Sequence, residues 1–463
     1  MNFSSPVFVF AFLPVIFLLN GLRKNIKYKN YVLTAGSLLF YSACRLDWFL
    51  ILIVSIVFNY FAGLLVANEK FNRKLVLISA VTVNISVLFV FKYMNFFTGI
   101  LSGISFMNIK PTNIPLPIGI SFFTFQCLSY VVDVYRDPVK KANNISKLIL
   151  YISFFPQLIA GPIIKYSDIS GQIDFRKEDY TGTVKGIKRF AVGLSKKMFL
   201  ANILGEAADA VYSLGAADVN FQIAWVGVIC YTLQIYFDFS GYSDMAIGMG
   251  NMFGFKIKEN FNYPYCASSV KDFWRRWHIS LSSWFRDYLY IPIGGNRKGI
   301  RRTRLNKIIV FFFTGMWHGA NWTFIIWGLW HAFALTTEDI VKKKIRIPNI
   351  VGRIYTLAVV CIGFMLFRSE NLTQAFNMLR SMFSSFETGE KYKIIVCNLL
   401  TPSVIFCLTV SILVSMPVAD KINILKRLKK NEFVSVFTVF VLMVLCMLKL
   451  ATGSFNPFIY TQF

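Results

Sequence analysis

The sequence predicts an all-α polytopic membrane protein, because of its composition and the apolar runs that recur along it. Of its 463 residues, 56% are hydrophobic, 17% aromatic and only 16% charged, whereas about a quarter of the residues in soluble proteins are charged. Runs long enough to cross a hydrocarbon core of about 30 Å are Phe3 to Leu19, Trp48 to Val66, Leu75 to Phe91, Phe221 to Phe237, Ile394 to Met416 and Phe433 to Leu448. We therefore expect roughly ten to thirteen membrane-embedded helices in a single domain over residues 1–463.

Basic residues form short clusters between the apolar runs. The net charge of +26 could indicate a nucleic-acid partner, but the positive-inside bias of membrane proteins produces this same spacing. We therefore expect a lipid bilayer and no nucleic acid. The cluster from Arg23 to Lys29 follows the first apolar run instead of preceding it, which predicts a retained span and not a signal peptide. The same cluster predicts that the N-terminus is outside and the first loop cytoplasmic.

The apolar run Leu148 to Ile164 breaks this alternation, because basic segments flank it on both sides. A run that enters and leaves on one side of the membrane is re-entrant or interfacial. Pro156, Gly161 and Pro162 supply the helix breaks that such a path needs. The sequence therefore predicts a re-entrant or interfacial segment here.

The eight cysteines are scattered, mostly within apolar runs, and none forms a Cys-x-x-Cys pair. We therefore expect neither a disulfide framework nor a metal site. No internal repeat and no Pro/Ser-rich linker marks a second domain, which favours one bundle.

The three histidines all follow a tryptophan, in Trp277-His278, Trp317-His318 and Trp330-His331. Histidine exchanges a proton near neutral pH, so these are the first candidates for a general base. The alternative is that each imidazole simply packs among aromatic rings.

His318 is the strongest of the three candidates. The apolar segment Ile308 to Met316 that precedes it would advance only about 13 Å as a helix, which brings His318 to the membrane interior. A buried imidazole there needs a partner or a function. On an unbroken helix His331 would lie about 19 Å away and about 220° round the axis, so we expect a lining or structural position for it unless Gly328 bends the path.

Two acidic residues, Asp238 and Asp244, lie within a largely apolar run. An acidic group at membrane depth usually faces a protein interior or a wet cavity. Two interpretations remain open at this point. Either Ser240 and Gly241 break a helix whose backbone groups the carboxylates satisfy, or the carboxylates take part directly in catalysis.

Residues 256–307 carry twelve Lys or Arg against three Asp or Glu. Such a block suits a polyanionic ligand such as the phosphorylated tail of coenzyme A. Anionic lipid headgroups are the alternative ligand. The candidate binding residues are Arg275, Arg276, Arg286 and Trp274.

Several long motifs occur between residues 237 and 331. They are Phe237-Asp-Phe-Ser-Gly-Tyr-Ser-Asp-Met-Ala-Ile-Gly248, Glu259-Asn-Phe-Asn-Tyr-Pro264, Asp272-Phe-Trp-Arg-Arg-Trp-His-Ile-Ser-Leu-Ser-Ser-Trp-Phe-Arg-Asp-Tyr288, Trp317-His-Gly-Ala-Asn-Trp322 and Trp327-Gly-Leu-Trp-His331. In this order they resemble the membrane-bound O-acyltransferase family, in its bacterial alginate O-acetylase-like branch. The motif-bearing core covers about residues 116–340.

The resemblance implies a helical bundle around a central funnel, with acyl-coenzyme A entering from the cytoplasm and the acceptor from the opposite face. His318 matches the essential histidine of the family and would act as a neutral general base. His278 matches the second polar position, where it would donate to the carbonyl oxygen or orient the acceptor.

The resemblance also implies the protein's substrates and surroundings. Acetyl-coenzyme A would be a co-substrate, with no permanently bound cofactor. The acceptor side would involve an exported polysaccharide or peptidoglycan and a separate extracytoplasmic acetyltransferase of the SGNH-hydrolase type. The setting would be the bacterial cytoplasmic membrane.

Three alternatives to acetyl transfer by a general base remain. The first is transfer of D-alanine or another small acyl group to teichoic acid. The second is a secondary transporter, which the lack of a visible repeat disfavours. The third is a covalent acyl-enzyme on Cys266 or Ser280, although no Gly-x-Ser-x-Gly motif supports a nucleophile elbow.

Overall fold

The computed structural model describes residues 3–103, 110, 112–341, 348–418, 422–423, 427, 431–451 and 458–459. Every regular element in this part of the chain is helical, which confirms the all-α class. The helices as far as residue 252 are α1 (Leu13–Gly21), α2 (Ile26–Ser42), α3 (Leu46–Ala67), α4 (Arg73–Lys92), α5 (Met94–Ser102), α6 (Ile120–Arg136), α7 (Ile145–Ser153), α8 (Phe155–Leu158), α9 (Tyr166–Asp174), α10 (Tyr180–Ser195), α11 (Asn202–Tyr212) and α12 (Phe221–Met252). The helices that follow are α13 (Val270–Arg276), α14 (Ile279–Phe285), α15 (Gly299–His318), α16 (Trp322–Val341), α17 (Asn349–Arg368), α18 (Leu372–Ser384), α19 (Glu390–Leu399), α20 (Pro402–Val414) and α21 (Glu432–Ala451).

The described residues divide into two compact units. The first takes in those within 1–190, 242–258 and 453–463, and the second those within 191–241 and 259–452. All three histidines belong to the second unit. The organisation of residues 1–463 as a single domain stays a prediction.

The apolar runs form helices where the sequence predicts them. Within the described residues, five helical stretches are long and apolar enough to cross a membrane, or up to six if the bent pair α19 and α20 is one span. The five are Leu46–Ala67, Arg73–Ser102, Phe221–Met252, Asn349–Arg368 and Glu432–Ala451. The first apolar run forms a shorter apolar helix, Phe8–Gly21. The total of ten to thirteen embedded helices stays a prediction, because it includes shorter segments.

The run Leu148 to Ile164 is broken in the first unit, as its prolines and glycine predict. Helix α7 ends at Ser153, and α8 is a single turn with Pro156 in its first positions. Gly161 packs closely on this turn, since a Cβ there would meet Gln157 Cα at 2.5 Å. The break is therefore confirmed, whereas entry and exit on one side of the membrane stay a prediction.

Helix α12 runs without interruption through Ser240 and Gly241, so the interpretation of a helix break at these two residues is wrong. Gly241 is needed for close packing instead, because a Cβ there would meet Gly193 O at 2.7 Å. One serine and one glycine do not end a helix that packing stabilises over most of its length.

The acidic residues of α12 do face the protein interior, as the sequence predicts. Asp238 accepts a hydrogen bond of 2.6 Å from Lys197 Nζ, and both side chains are at most 2% exposed. Lys197 lies in the π-helical turn Lys196–Ala201. In the first unit, Asp244 pairs with Arg189 at 2.9 Å. Each carboxylate thus has a cationic partner, as a buried charge requires.

Helices α15 and α16 form a tight antiparallel hairpin. A Cβ at Gly315 would collide with Phe324 O, and one at Gly328 with Phe311 O, so glycine at both positions lets the two backbones touch. Helix α15 has 20 residues and is about 30 Å long. The expected short helix over Ile308–Met316 is wrong, because the arginines and lysines before Ile308 are good helix formers and extend it back to Gly299.

Candidate active site

His318 is the last residue of α15 and is 4% exposed. Aromatic rings from three helices pack against its imidazole. The ring centroids of Trp317, Trp327 and Phe367 lie 4.9, 4.9 and 5.1 Å from it, and the ring planes are inclined by 76°, 85° and 78°. These rings hold the imidazole in one orientation, which a general base requires. Because they come from α15, α16 and α17, only the folded second unit assembles this cage.

His278 is fully buried in the turn between α13 and α14. Its φ of 44° and ψ of 54° lie in the left-handed region, which non-glycine residues adopt only when their surroundings compensate the strain. Asn260 provides that compensation. Its Oδ1 accepts from Ser280 N at 3.1 Å and from Ser280 Oγ at 2.9 Å, and its backbone O accepts from Ile279 N at 3.0 Å.

Asn260 also orients the imidazole of His278. Its Oδ1 lies 3.3 Å from His278 Nδ1, and the donors on Ser280 identify this atom as the amide oxygen. An oxygen that only accepts requires a proton on Nδ1, so the neutral ring presents the lone pair of Nε2. Phe239 packs edge-on against the same ring at 4.6 Å.

Trp317 connects the two predicted catalytic histidines. Its ring centroid lies 6.1 Å from that of His278 and 4.9 Å from that of His318. The structure therefore brings both His278 and His318 against the same indole.

His331 is closer to His318 than the sequence predicted, because the chain turns back at residues 319–321. The ring of Trp327 contacts both imidazoles, with its centroid 4.9 Å from that of His318 and 5.1 Å from that of His331. The expected separation on an unbroken helix is therefore wrong. His331 Nδ1 accepts a long hydrogen bond of 3.4 Å from Trp274 Nε1, which fits the predicted structural position, and that position stays a prediction.

Glu338 anchors the helix that carries Trp274. Its two carboxylate oxygens accept from Val270 N at 2.7 Å and from Lys271 N at 3.2 Å, in the first turn of α13. A carboxylate here satisfies backbone donors that have no partner within the helix. Glu338 is buried on α16, so α13 is fixed to the same helix that carries Trp327.

A cavity of about 200 Å³ lies beside the middle of α15. Trp274 and Arg286, two of the four predicted coenzyme A-binding residues, line it together with Lys271 and Lys307. The rest of its lining is mostly apolar, with Leu281, Phe285, Val310, Phe311 and Leu335.

The other two predicted binding residues do not line this cavity. Arg275 is exposed on α13, and Arg276 pairs with Asp272 at 3.0 Å. Arg286, at the cavity, pairs with Asp287 at 2.7 Å. The assignment of all four residues to coenzyme A stays a prediction.

Burial lowers the pKa of His278 from 6.5 to about 3. Between these pH values the folded protein binds fewer protons at this site than the unfolded chain does. The contribution of neutral His278 to the free energy of unfolding is therefore fully present above pH 6.5 and is lost as the pH falls toward 3. We expect the Tm of the wild type to fall more between pH 7.5 and pH 5 than that of His278→Gln, measured by scanning fluorimetry. Equal falls in the two proteins would contradict a neutral His278.

Sequence reasoning did not identify Asn260 and Glu338 as residues that position the site. Asn260 lies inside the motif Glu259 to Pro264. The motif indicates that this stretch matters but does not indicate that Asn260 positions His278. Glu338 gave a weaker signal, as an acidic residue that follows the apolar run of α16.

Comparison with known proteins gives one family and several relatives. The model of the MBOAT, membrane-bound O-acyltransferase family, matches residues 35–373. A probable alginate O-acetylase of Pseudomonas aeruginosa is 42% identical over 83% of this chain and 75% of its own length. A peptidoglycan O-acetyltransferase of Helicobacter pylori is 37% identical over 82% and 79%. A teichoic acid D-alanyltransferase of Bacillus subtilis is 28% identical over 66% and 81%.

Proposed function

The chain belongs to the membrane-bound O-acyltransferase family, and we propose that this multi-pass membrane enzyme moves an acetyl group from cytoplasmic acetyl-coenzyme A across the membrane. The acetyl group is then used for O-acetylation of an exported glycan. Relatives named for alginate and peptidoglycan acetylation support a glycan acceptor and acetyl as the acyl group. The proposed setting is the bacterial cytoplasmic membrane, with the N-terminus outside and an extracytoplasmic SGNH-type acetyltransferase as partner.

The observation that carries the proposal is an aromatic connection between a cation-lined cavity and His318. Trp274 lines the cavity, and its ring lies 5.8 Å from that of Trp327, which lies 4.9 Å from His318. Lys271 suits a phosphate of coenzyme A, as does Lys307, which is also paired with Asp339, and the apolar lining suits the less polar arm. The thioester end of a donor in this cavity would point toward the cage around His318.

Acyl transfer from a thioester to a hydroxyl requires a base for the hydroxyl proton and a thiolate that leaves. His318 takes the proton of the acceptor hydroxyl while the hydroxyl oxygen attacks the thioester carbonyl carbon. The C–S bond then breaks, and the coenzyme A thiolate takes up the proton from His318. The C-terminal end of α15, where His318 lies, carries partial negative charge that stabilises the transient imidazolium.

His278 is better suited to orient the acceptor than to stabilise an oxyanion. The tautomer selected by Asn260 leaves Nε2 as a hydrogen-bond acceptor, and an oxyanion needs a donor. A hydroxyl group can donate to Nε2. Of the two tasks that the resemblance implies for His278, we therefore propose orientation of the acceptor.

Charge removal at the cavity tests the donor site. We expect Lys271→Gln to raise the KM for acetyl-coenzyme A about tenfold, as the loss of about 1.4 kcal/mol from one phosphate contact predicts, with little change in kcat. The measurement is transfer of labelled acetyl in proteoliposomes. Lys185→Gln, which replaces an exposed lysine of the first unit, is the matched control and should match the wild type. Equal KM values for all three proteins would contradict a donor in this cavity.

The second candidate function is D-alanyl transfer, which the similarity to teichoic acid D-alanyltransferase favours. Proteoliposomes offered either labelled acetyl-coenzyme A or a D-alanyl carrier protein distinguish the two. We expect the protein to consume labelled acetyl-coenzyme A and not the D-alanyl carrier protein. Turnover of the charged carrier protein without turnover of acetyl-coenzyme A would replace acetyl by D-alanyl in the proposal.

A further inference from the structure

A second cavity of the same unit, of about 340 Å³, lies between the end of α11 and helix α18. This volume is within the range of about 300–1,000 Å³ for small-molecule sites. Amide and hydroxyl side chains form its polar lining: Asn371, Thr373, Gln374, Asn377 and Ser381. Its apolar wall consists of Val211, Leu214, Ala216, Val219 and Met378, and Tyr212 completes it.

None of the described residues that line this cavity is charged. Two of the nearby cations have carboxylate partners of their own: Arg368 pairs with Asp209 at 2.7 Å, and Lys391 pairs with Asp218. A carboxylate in this cavity would gain hydrogen bonds but no ion pair from the lining residues, and these compensate its lost hydration less well than a cation would. The lining therefore favours an uncharged ligand over an acidic one.

The polar lining contains hydrogen-bonding groups that a ligand could use. Tyr212 is 5% exposed, and its phenol oxygen is buried without a hydrogen-bond partner among the described residues. The hydrogen bonds of Gln374 are made within the wall, to Tyr212 O and from Glu370 N, both at 2.8 Å. Asn377 and Thr373 have no such internal bond in the described structure. Amides and hydroxyls both donate and accept, as the hydroxyl and acetamido groups of a sugar do.

The cavity is connected to the catalytic histidine through the last turn of α17. Phe367 contacts the ring of His318 at 5.1 Å. The guanidinium of the next residue, Arg368, lies 5.1 Å from the ring centroid of Tyr212, which lines the cavity. The second cavity is thus connected to His318 through residues of α17, whereas the cation-lined cavity is connected to it through Trp274 of α13 and Trp327 of α16.

We propose that this cavity binds an uncharged saccharide segment of the acyl acceptor, such as an N-acetylhexosamine unit. The inference rests on the proposed function, which it deepens by naming the acceptor class. An amino-sugar polymer fits this lining, whereas a polyuronate, with a carboxylate on every sugar, does not.

Direct binding measurements test the inference without any acyl donor. The full chain is placed in phosphatidylcholine nanodiscs, because glycoside detergents would offer a sugar of their own. The ligands are an N-acetylglucosamine trimer and a mannuronate trimer, followed by saturation-transfer NMR and calorimetry. We expect the neutral trimer to bind at least about tenfold more tightly, which is a difference of about 1.4 kcal/mol.

Two variants connect the binding to this cavity. Asn377→Leu and Thr373→Val should each weaken binding of the neutral trimer about five- to tenfold, as the loss of one hydrogen bond predicts. Thr373 is exposed, so its variant folds even if the other does not. The matched control is Asn143→Leu, which changes an asparagine that lines a cavity of the first unit and should bind as the wild type does.

The possible outcomes separate this inference from the proposed function. Equal or tighter binding of the mannuronate trimer, no binding of either trimer, or unchanged binding in both cavity variants would overturn the inference. His318→Ala should bind the neutral trimer as the wild type does. If that variant still supported glycan O-acetylation, the proposed function would fail while saccharide binding remained intact.

Discussion

Replacing His318 by alanine is expected to abolish O-acetylation of the envelope glycan in cells while the protein stays folded and inserted. His318 lies within the aromatic cage, and Trp317 of that cage also contacts His278. Loss of a general base lowers a rate by about 10²–10⁴-fold, which brings ester-linked acetate below detection. The measurement is acetate released from purified glycan by mild alkali, normalised to the enzyme in the membrane fraction.

His331→Ala is the comparison variant for this experiment. His331 is as deeply buried, at 1% exposed, and lies against the same Trp327. Its loss should lower stability and protein level, with a much smaller fall in acetylation per folded molecule. Retained acetylation in His318→Ala would contradict its assignment as the base.

Replacing Asp238 by asparagine should cause a large loss of stability, because it breaks a buried ion pair of the second unit. Asp238 and Lys197 are 1% and 2% exposed and lie 2.6 Å apart. Removing one member of a buried ion pair costs about 3–5 kcal/mol, because the other charge stays in a medium of low dielectric constant. Unfolding in detergent, followed by circular dichroism against denaturant, measures the free energy of unfolding.

Two further variants identify the cause of that loss. The double replacement Lys197→Met with Asp238→Leu should regain most of the lost stability, since apolar groups of similar size satisfy a buried site. Asp47→Asn breaks the exposed pair of Arg45 and Asp47, whose side chains are 50% and 52% exposed, and should cost at most about 1 kcal/mol. A double variant no more stable than Asp238→Asn would mean that the ion pair is not the cause.

The same ion pair also supports the candidate active site. Phe239 follows Asp238 on α12 and packs against the ring of His278 at 4.6 Å. A shift of α12 in Asp238→Asn would therefore disturb the support of His278 as well as the fold. The double variant, if it restores stability, should also restore acetylation.

Much of the site could be predicted from short-range patterns. The Trp-His pairs indicate the stretch that contains His278 and His318, and the basic excess of residues 256–307 indicates the stretch that contains Trp274 and Arg286. The separation of His331 from His318 could not be predicted in this way, because it depends on whether the chain continues straight or turns at residues 319–321. A Trp-His-Gly sequence is compatible with a helix that continues and with a chain that turns.

The sequence by itself determined the all-α membrane class, the family and the residues able to exchange a proton, because composition, apolar runs and motifs are local properties of a chain. The tertiary structure decided which of those residues meet. Asn260 reaches His278 across 18 positions and Glu338 reaches the start of α13 across 68. Such contacts depend on packing of whole helices, such as the glycine-mediated approach of α15 to α16, and no short pattern encodes them.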